Sequence, residues 1–248
     1  LYDYLANPRL LDQLKPSCER IYVGKQAGCH SLSQKEITSL LIEKAQSANL
    51  LVRLKGGDPY VFGRGGEEAL ALYAAGIPFE IVPGVTAGTA ALAYAGIPAT
   101  HRSMATAVTF ITGHEAADKK ETEINWDALA GLHGTLVFYM GVRQLGAICA
   151  ELLQRGKPAG TPAAVIRQGT LTGQQVVEGT LATITEKVNN AGLRPPALIV
   201  VGDVVQLRQQ LDWYGRLALA GKKVVVTRSR AQASALVAEL EDLGAQVL

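Results

Sequence analysis

Leu50-Leu51-Val52-Arg53-Leu54-Lys55-Gly56-Gly57-Asp58-Pro59, followed by Phe62-Gly63-Arg64-Gly65-Gly66-Glu67-Glu68, decides how this chain is read. The first part is a short apolar strand interrupted only by Arg53. It stops at two glycines, an acid and a proline. Glycines 56, 57, 63, 65 and 66 strip side chains from the backbone, which lets a ligand approach the main chain closely. Glu67 and Glu68 then open a helix, where carboxylates suit the positive end of the dipole. In an open α/β sheet ligands bind beyond the carboxyl ends of the strands, and this loop would lie there. A tight strand-to-helix turn that needs glycine for its own sake reads equally well from these residues alone.

Upstream, residues 20–23 form a strand closed by Gly24-Lys25-Gln26-Ala27-Gly28. Ser33 and Glu36 make a capping box, and Ile37, Leu40, Leu41 and Ala45 lie on one face of the helix it starts. Downstream, the helix from about residue 67 to 75 stops at Gly76 with Pro78 beyond. Residues 79–82 read as a strand, Thr86 as the cap of a small-residue helix over 87–95, and residues 107–112 as another strand. Strand and helix alternate, which predicts a parallel sheet with crossover helices.

Residues 114–125 are polar and charge-rich and mark a domain boundary. Beyond them, strands at 135–139, 163–167, 176–178 and 197–201, with helices at 144–153 and 181–188, predict a second, mixed sheet. The fold class expected is therefore α/β, with two αβα domains over residues 1–114 and 115–215. After Trp213-Tyr214-Gly215 a third start appears at residues 220–248. It has a strand over 222–227, a helix striped by Leu236, Leu240 and Leu243, a stop at Gly244, and a strand-like Gln246-Val247-Leu248. The chain opens without Met or a capping signal, and both ends read as cuts in a longer protein.

The 248 residues are 48% hydrophobic and 19% charged with net charge +2, and the pI is about 8.4. That is a globular composition, too mildly basic to argue for nucleic acid or a membrane surface. Cys18, Cys29 and Cys149 lack C-x-x-C spacing, so neither a disulfide framework nor a zinc site follows, and a reducing cytoplasm is expected. No apolar run is long enough to cross a bilayer. His30, His114 and His133 lack ligand spacing, so no metal is expected. There is no Walker lysine–serine pair and no G-x-S-x-G elbow.

Among candidate residues, Asp58 can accept hydrogen bonds from a ligand or from the N–H groups of its own turn. Thr86-Ala87 offers either the free N–H groups of a helix start or a simple N-cap. Lys25, Lys55, Arg64, His101, Arg102, Arg143 and Arg167 fall near strand ends or in loops. They read as a cationic rim for a polyanionic small molecule, or as ordinary surface charge. Asp3 has no local context beyond that of a loop or helix-end acid.

Several of these stretches together resemble one family, the tetrapyrrole methylases. They are Gly56-Gly57-Asp58-Pro59 with Phe62-Gly63-Arg64-Gly65-Gly66-Glu67-Glu68, Val23-Gly24-Lys25-Gln26-Ala27-Gly28, Pro83-Gly84-Val85-Thr86-Ala87, Ala95-Gly96-Ile97-Pro98-Ala99-Thr100-His101-Arg102 and Tyr139-Met140-Gly141. The resemblance spans roughly residues 1–212. The tail from Gly221, through Val225-Val226-Thr227-Arg228, is similar to the opening of the uroporphyrinogen-III synthases.

The resemblance implies S-adenosyl-L-methionine held between two α/β domains and released as S-adenosyl-L-homocysteine, with no metal. It implies methylation of uroporphyrinogen III to precorrin-2 through precorrin-1, on the way to sirohaem and cobalamin, by a cytoplasmic homodimer. By motif it assigns cofactor contacts to Gly56, Gly57, Asp58, Val61, Thr86, Ala87, Met140, Gly169 and Ala197. The general base falls on Asp3 and the general acid on Lys25. Arg64, His101 and Arg102 are the candidates for the substrate's carboxylates. The family opens with a strand and a Gly-Pro-Gly-Asp loop that this sequence lacks, so the first strand of the N-terminal sheet is expected to be missing. The alternatives are a sister enzyme acting on a later corrin intermediate and a non-catalytic tetrapyrrole or adenosyl binding module. A dinucleotide-binding protein would need a glycine fingerprint followed by an acid about twenty positions on, which is not found.

Overall fold

Ser33 behaves as its spacing predicts. Its Oγ accepts the Glu36 N–H at 3.3 Å, and the Glu36 carboxylate accepts the Ser33 N–H at 2.6 Å. This closes the capping box that starts helix α1, Gln34–Ser47. The computed structural model describes residues 1–24, 32–113, 123–227 and 230–248. The chain divides into two compact units, Leu1–Thr86 and Ala87–Leu248.

In the first unit, α1 buries Ile37 and Leu41 against Leu1 and Val23. Each such aliphatic side chain contributes about 2 kcal/mol by leaving water. Three extended segments lie side by side, with Tyr2 parallel to Tyr22 on one flank and to Leu54 on the other. The Tyr2 N–H donates to Ile21 O and the Leu54 N–H to Leu1 O, at 3.0 and 2.8 Å. The Leu50 run thus contributes strand pairing only at its end, and Leu50 and Val52 are exposed. Helix α2, Gly65–Ala74, follows the glycine loop.

Residues 79–82, expected as a strand, are extended without a ladder, and Phe79 and Val82 are exposed. Pro78 and Pro83 on either side each lack the N–H that a ladder uses.

The second unit opens with α3, Ala87–Tyr94, and β1, Val108–Thr112. β1 was expected to extend the first parallel sheet. It pairs instead, in parallel, with β2, Thr135–Tyr139. Helix α4, Trp126–Gly131, is too short to show a period in sequence, and its N-terminus is held by the Asn125 side chain accepting the Ala128 N–H at 3.0 Å. Then come α5, Leu145–Gln154, β3, Pro162–Arg167, β4, Gln175–Thr180, α6, Ile184–Asn190, β5, Ala197–Val201, and α7, Arg208–Leu211. The five strands form one mixed sheet in the order β1-β2-β5-β3-β4. β5 runs antiparallel to both β2 and β3, its neighbours. All five residues of β2 are buried, as expected of an apolar run in the interior of a covered sheet. Leu136, Phe138, Val165, Ile199, Leu152 and Ile184 anchor the core.

Beyond Trp213, β6, Lys223–Val224, pairs in parallel with β7, Gln246–Val247, and α8, Arg230–Asp242, connects them. The strand–helix–strand order expected of this tail is present. Among the described residues no helix is long and apolar enough to cross a membrane.

Lys157 is a buried cation that the sequence reading passed over. Its Nζ donates to Ala130 O and Leu132 O at 3.2 and 3.1 Å, at the carbonyl end of α4, where a cation also meets the negative end of the helix dipole. Lys157→Met is expected to lower stability by about 2 kcal/mol in urea unfolding, because the carbonyls lose their donor. Burial lowers the Lys157 pKa, with Asp203 opposing. Between that lowered value and the ordinary 10.5 the unfolded chain binds more protons than the folded one. Stability from this group therefore rises with pH across that alkaline window. Lys157→Met removes this component of the pH dependence.

Candidate functional site

On the first unit the glycine loop is fixed by one carboxylate. Asp58 Oδ1 accepts the Tyr60 N–H at 2.8 Å, and its Oδ2 accepts the Gly84 N–H at 3.1 Å. Asp58 thus caps its own turn and also ties it to the segment that leads to Thr86. Gly57 has φ +112°, a conformation that side chains resist, and a Cβ on residue 84 would lie 2.5 Å from Gly57 O. A Cβ on residue 56 would overlap the Leu5 carbonyl.

The other glycines of the stretch divide in purpose. Side chains at 63 and 65 would meet Pro59 O at 2.6 and 2.5 Å, so these two serve the compactness of the loop itself. Val61 closes the turn through its N–H to Asp58 O at 3.3 Å. Arg64 starts α2 in the left-handed conformation, with φ 57°. Its guanidinium forks Glu67, Nε to Oε1 at 2.9 Å and NH2 to Oε2 at 2.7 Å. That hydrogen bond raises the Arg64 pKa and lowers that of the Glu67 carboxyl. The pair is exposed, so it adds little to stability.

Asp3 lies beside a charge cluster that the sequence reading did not assemble. Its Oδ1 accepts the Leu5 N–H at 3.0 Å and its Oδ2 accepts from Arg53 NH1 at 3.3 Å. Arg53 Nε donates to Glu68 Oε1 at 3.3 Å, and Lys55 Nζ reaches Glu68 Oε2 at 3.5 Å. Glu68, expected only as a carboxylate at a helix start, is buried and also accepts from Gln34 Nε2 at 3.0 Å. Burial lowers the Lys55 pKa, Arg53 adds to this, and Glu68 and Asp3 oppose it. The available signal was Arg53 itself, a charge set inside an otherwise apolar run. Lys25 lies outside the described residues.

On the second unit, β1, β2 and β3 end at the same edge of the sheet where β5 begins. The register pairs Thr112 with Tyr139 and Arg167 with Ala197. Met140, Gly169 and Ala197, far apart in sequence, therefore share one sheet edge. Three non-glycine residues there take left-handed backbone, Met140 at φ 57°, Gln168 at 48° and Thr170 at 72°. Such conformations cost about 1–3 kcal/mol each and concentrate at functional sites. The Arg167 Nε is buried without a hydrogen-bond partner.

Helix α3 packs its start on this edge. The Gly88 N–H donates to the Tyr139 hydroxyl at 2.6 Å, and a Cβ on Gly169 would overlap Ala91. Ala87 is thus brought to the Met140 edge. His101 and Arg102 are exposed, in a turn closed by the His101 N–H to Ala105 O at 2.9 Å. That turn leads into β1 at the opposite end of the sheet from Met140. Arg143 is exposed just after Gly141.

Residues 1–185 match the family of Tetrapyrrole (Corrin/Porphyrin) Methylases. The S-adenosyl-L-methionine-dependent uroporphyrinogen III methyltransferase of Methanosarcina barkeri is 50% identical over 211 residues, covering 85% of this chain and 83% of its own length. The uroporphyrinogen-III C-methyltransferase of Bacillus subtilis is 46% identical over 248 residues, which is 100% of this chain and 51% of that protein. The chain therefore spans about half the length of the Bacillus relative. Among solved structures, the uroporphyrin-III C-methyltransferase of Thermus thermophilus complexed with S-adenyl homocysteine matches with TM-score 0.69 and 37% identity, over 84% of this chain and 86% of that one. The chain belongs to the tetrapyrrole methylase family.

Proposed function

We propose that this chain carries the S-adenosylmethionine-dependent C-methylation of uroporphyrinogen III at two pyrrole carbons, giving precorrin-2 through precorrin-1 for sirohaem or cobalamin synthesis. The observation that carries this reading is the loop contact where Gly84, too close to Gly57 O for a side chain, is tied to the Asp58 carboxylate, in a chain half identical to a methyltransferase named for that donor and substrate.

The residues fit an adenosyl ligand that has no phosphate. By motif the cofactor contacts fall on Gly56, Gly57, Asp58, Val61 and Thr86 in the first unit, and on Ala87, Met140, Gly169 and Ala197 in the second. When bound, S-adenosylmethionine supplies a methyl group already activated by its sulfonium. The protein's task is then alignment, and glycine-lined main chain gives close, fixed contact for it. Asp3 takes the proton that the methylated, cationic pyrrole must lose, and Lys25 serves as general acid. Arg64 meets carboxylates of the substrate by exchanging its fork with Glu67, and His101 and Arg102, at the far end of β1 from Met140, take those carboxylates that extend away from the methyl donor.

We assign residues 1–114 and 115–215 to the two methylase subdomains, with the exception that β1, Val108–Thr112, joins the sheet of the second, and residues 220–248 to the start of a synthase-like domain. The Bacillus relative supports this by aligning along the whole chain, and the tail supports it by its β6-α8-β7 order. A cytoplasmic homodimer is the assembly expected from the family.

The test is an anaerobic assay of the full-length protein with uroporphyrinogen III and labelled S-adenosylmethionine. The expected product has gained two methyl groups by mass. Binding of the donor without transfer would leave a non-catalytic module, and transfer only to a later corrin would identify a sister enzyme.

A further inference from the structure

We infer that Arg53, anchored by the buried Glu68, is the positioning residue for the Asp3 carboxylate. This rests on the reading of Asp3 as the proton acceptor. The guanidinium is held by three acceptors, two on separate segments of the first unit and one on its own strand. NH1 donates to Asp3 Oδ2 at 3.3 Å and to Leu54 O at 3.0 Å, and Nε donates to Glu68 Oε1 at 3.3 Å. The Arg53 and Glu68 side chains are only 12% and 5% exposed, against 24% for Asp3. The rigid, desolvated part of the cluster thus lies behind Asp3, whose carboxylate is its most open acid.

Glu68 is fixed in turn by Gln34 at 3.0 Å and Lys55 at 3.5 Å. Two carboxylates face two cations, so the cluster carries no net charge, and removing one member leaves a buried charge uncompensated. Asp3 is pinned on both oxygens, by the Leu5 N–H at 3.0 Å and by Arg53. Arg53 is the only one of the two partners that a side-chain substitution can remove. A base that must meet a proton on a bound substrate gains from such fixed geometry.

The experiment is a double-mutant cycle in the full-length protein, with kcat and KM measured for methyl transfer to uroporphyrinogen III. Asp3→Ala is expected to lower kcat by about 100-fold. Arg53→Met is expected to lower it by about 30-fold, with KM for S-adenosylmethionine within about twofold of wild type. Combined with Asp3→Ala, it should add nothing, since no carboxylate is left to position. Arg53→Lys should recover part of the loss. If the two losses multiply, Arg53 acts independently of Asp3 and the inference is overturned. If Asp3→Ala keeps wild-type kcat, the assignment of Asp3 as base fails, and the positioning role with it. Should Arg53→Met not fold, Glu68→Gln carries the same cycle. It preserves shape but weakens the hold on Arg53, and about a fivefold loss of kcat that vanishes in the Asp3→Ala background is expected.

Discussion

Gly84→Ala is expected to weaken S-adenosylmethionine binding by about 100-fold, or about 2.7 kcal/mol, while the unfolding midpoint moves little. The added carbon would lie 2.5 Å from Gly57 O, 2.9 Å from Gly57 C and 3.1 Å from Asp58 N. All three are main-chain atoms, so no side chain can rotate out of the way. Relief requires the Gly57–Asp58 peptide to shift, and that shift breaks the Gly84 N–H to Asp58 Oδ2 bond that sets the loop. Gly84 is exposed and contributes nothing to the core, which is why affinity rather than stability carries the loss. Isothermal titration calorimetry on the full-length protein checks both, with a thermal melt alongside. Unchanged affinity would remove this loop from the adenosyl site.

Gly88→Ala is expected to produce the opposite division, a stability loss of about 3 kcal/mol, or about 10 °C in Tm for a domain of this size. Gly88 is buried at the start of α3. A Cβ there would overlap the Tyr139 hydroxyl and come within 2.8 Å of Phe110 Cε1. Phe110 and Tyr139 already pack edge to face, with centroids 5.7 Å apart, so neither ring can retreat without disturbing the other. The Gly88 N–H would also lose its partner. Tyr139→Phe alone should cost about 1–2 kcal/mol, the price of the orphaned donor. The double variant should cost less than the sum, because removing the hydroxyl removes the worst overlap. Strict additivity in chemical denaturation would show that the overlap is relieved in some other way.

These positions also show what could be read from the chain by itself. β2 and β5 were legible to the residue, because short apolar runs flanked by glycine or proline have few alternatives in an α/β chain. The capping box of α1 was legible because its two hydrogen bonds are local. Residues 79–82 looked like a strand by composition, but strand identity depends on a partner, and no local pattern states whether one exists. For the same reason the sequence could not place β1, whose partner turned out to be β2. The glycine loop was legible as a stretch but not in its division of labour. Gly63 and Gly65 answer to Pro59, whereas Gly84, outside the quoted stretch, closes on Gly57. The Asp3–Arg53–Glu68 cluster was hidden because its members meet across 50 and 15 positions, and sequence periodicity reports only neighbours within a few residues. Arg53 therefore read as an interruption, although it holds the cluster together.

The position of β5 bears on how the protein is made. The last strand of the five to leave the ribosome is the one that sits at the centre of the sheet. Until Ala197–Val201 emerges, the nascent chain holds two separate pairs, β1 with β2 and β3 with β4, and two-stranded pairs are marginal in water. Each presents an open edge that seeks a partner, and before translation reaches β5 the available partners include the edges of neighbouring nascent chains. A message cut anywhere between the codons for Thr180 and Ala197 would encode four of the five strands and still yield two unjoined halves.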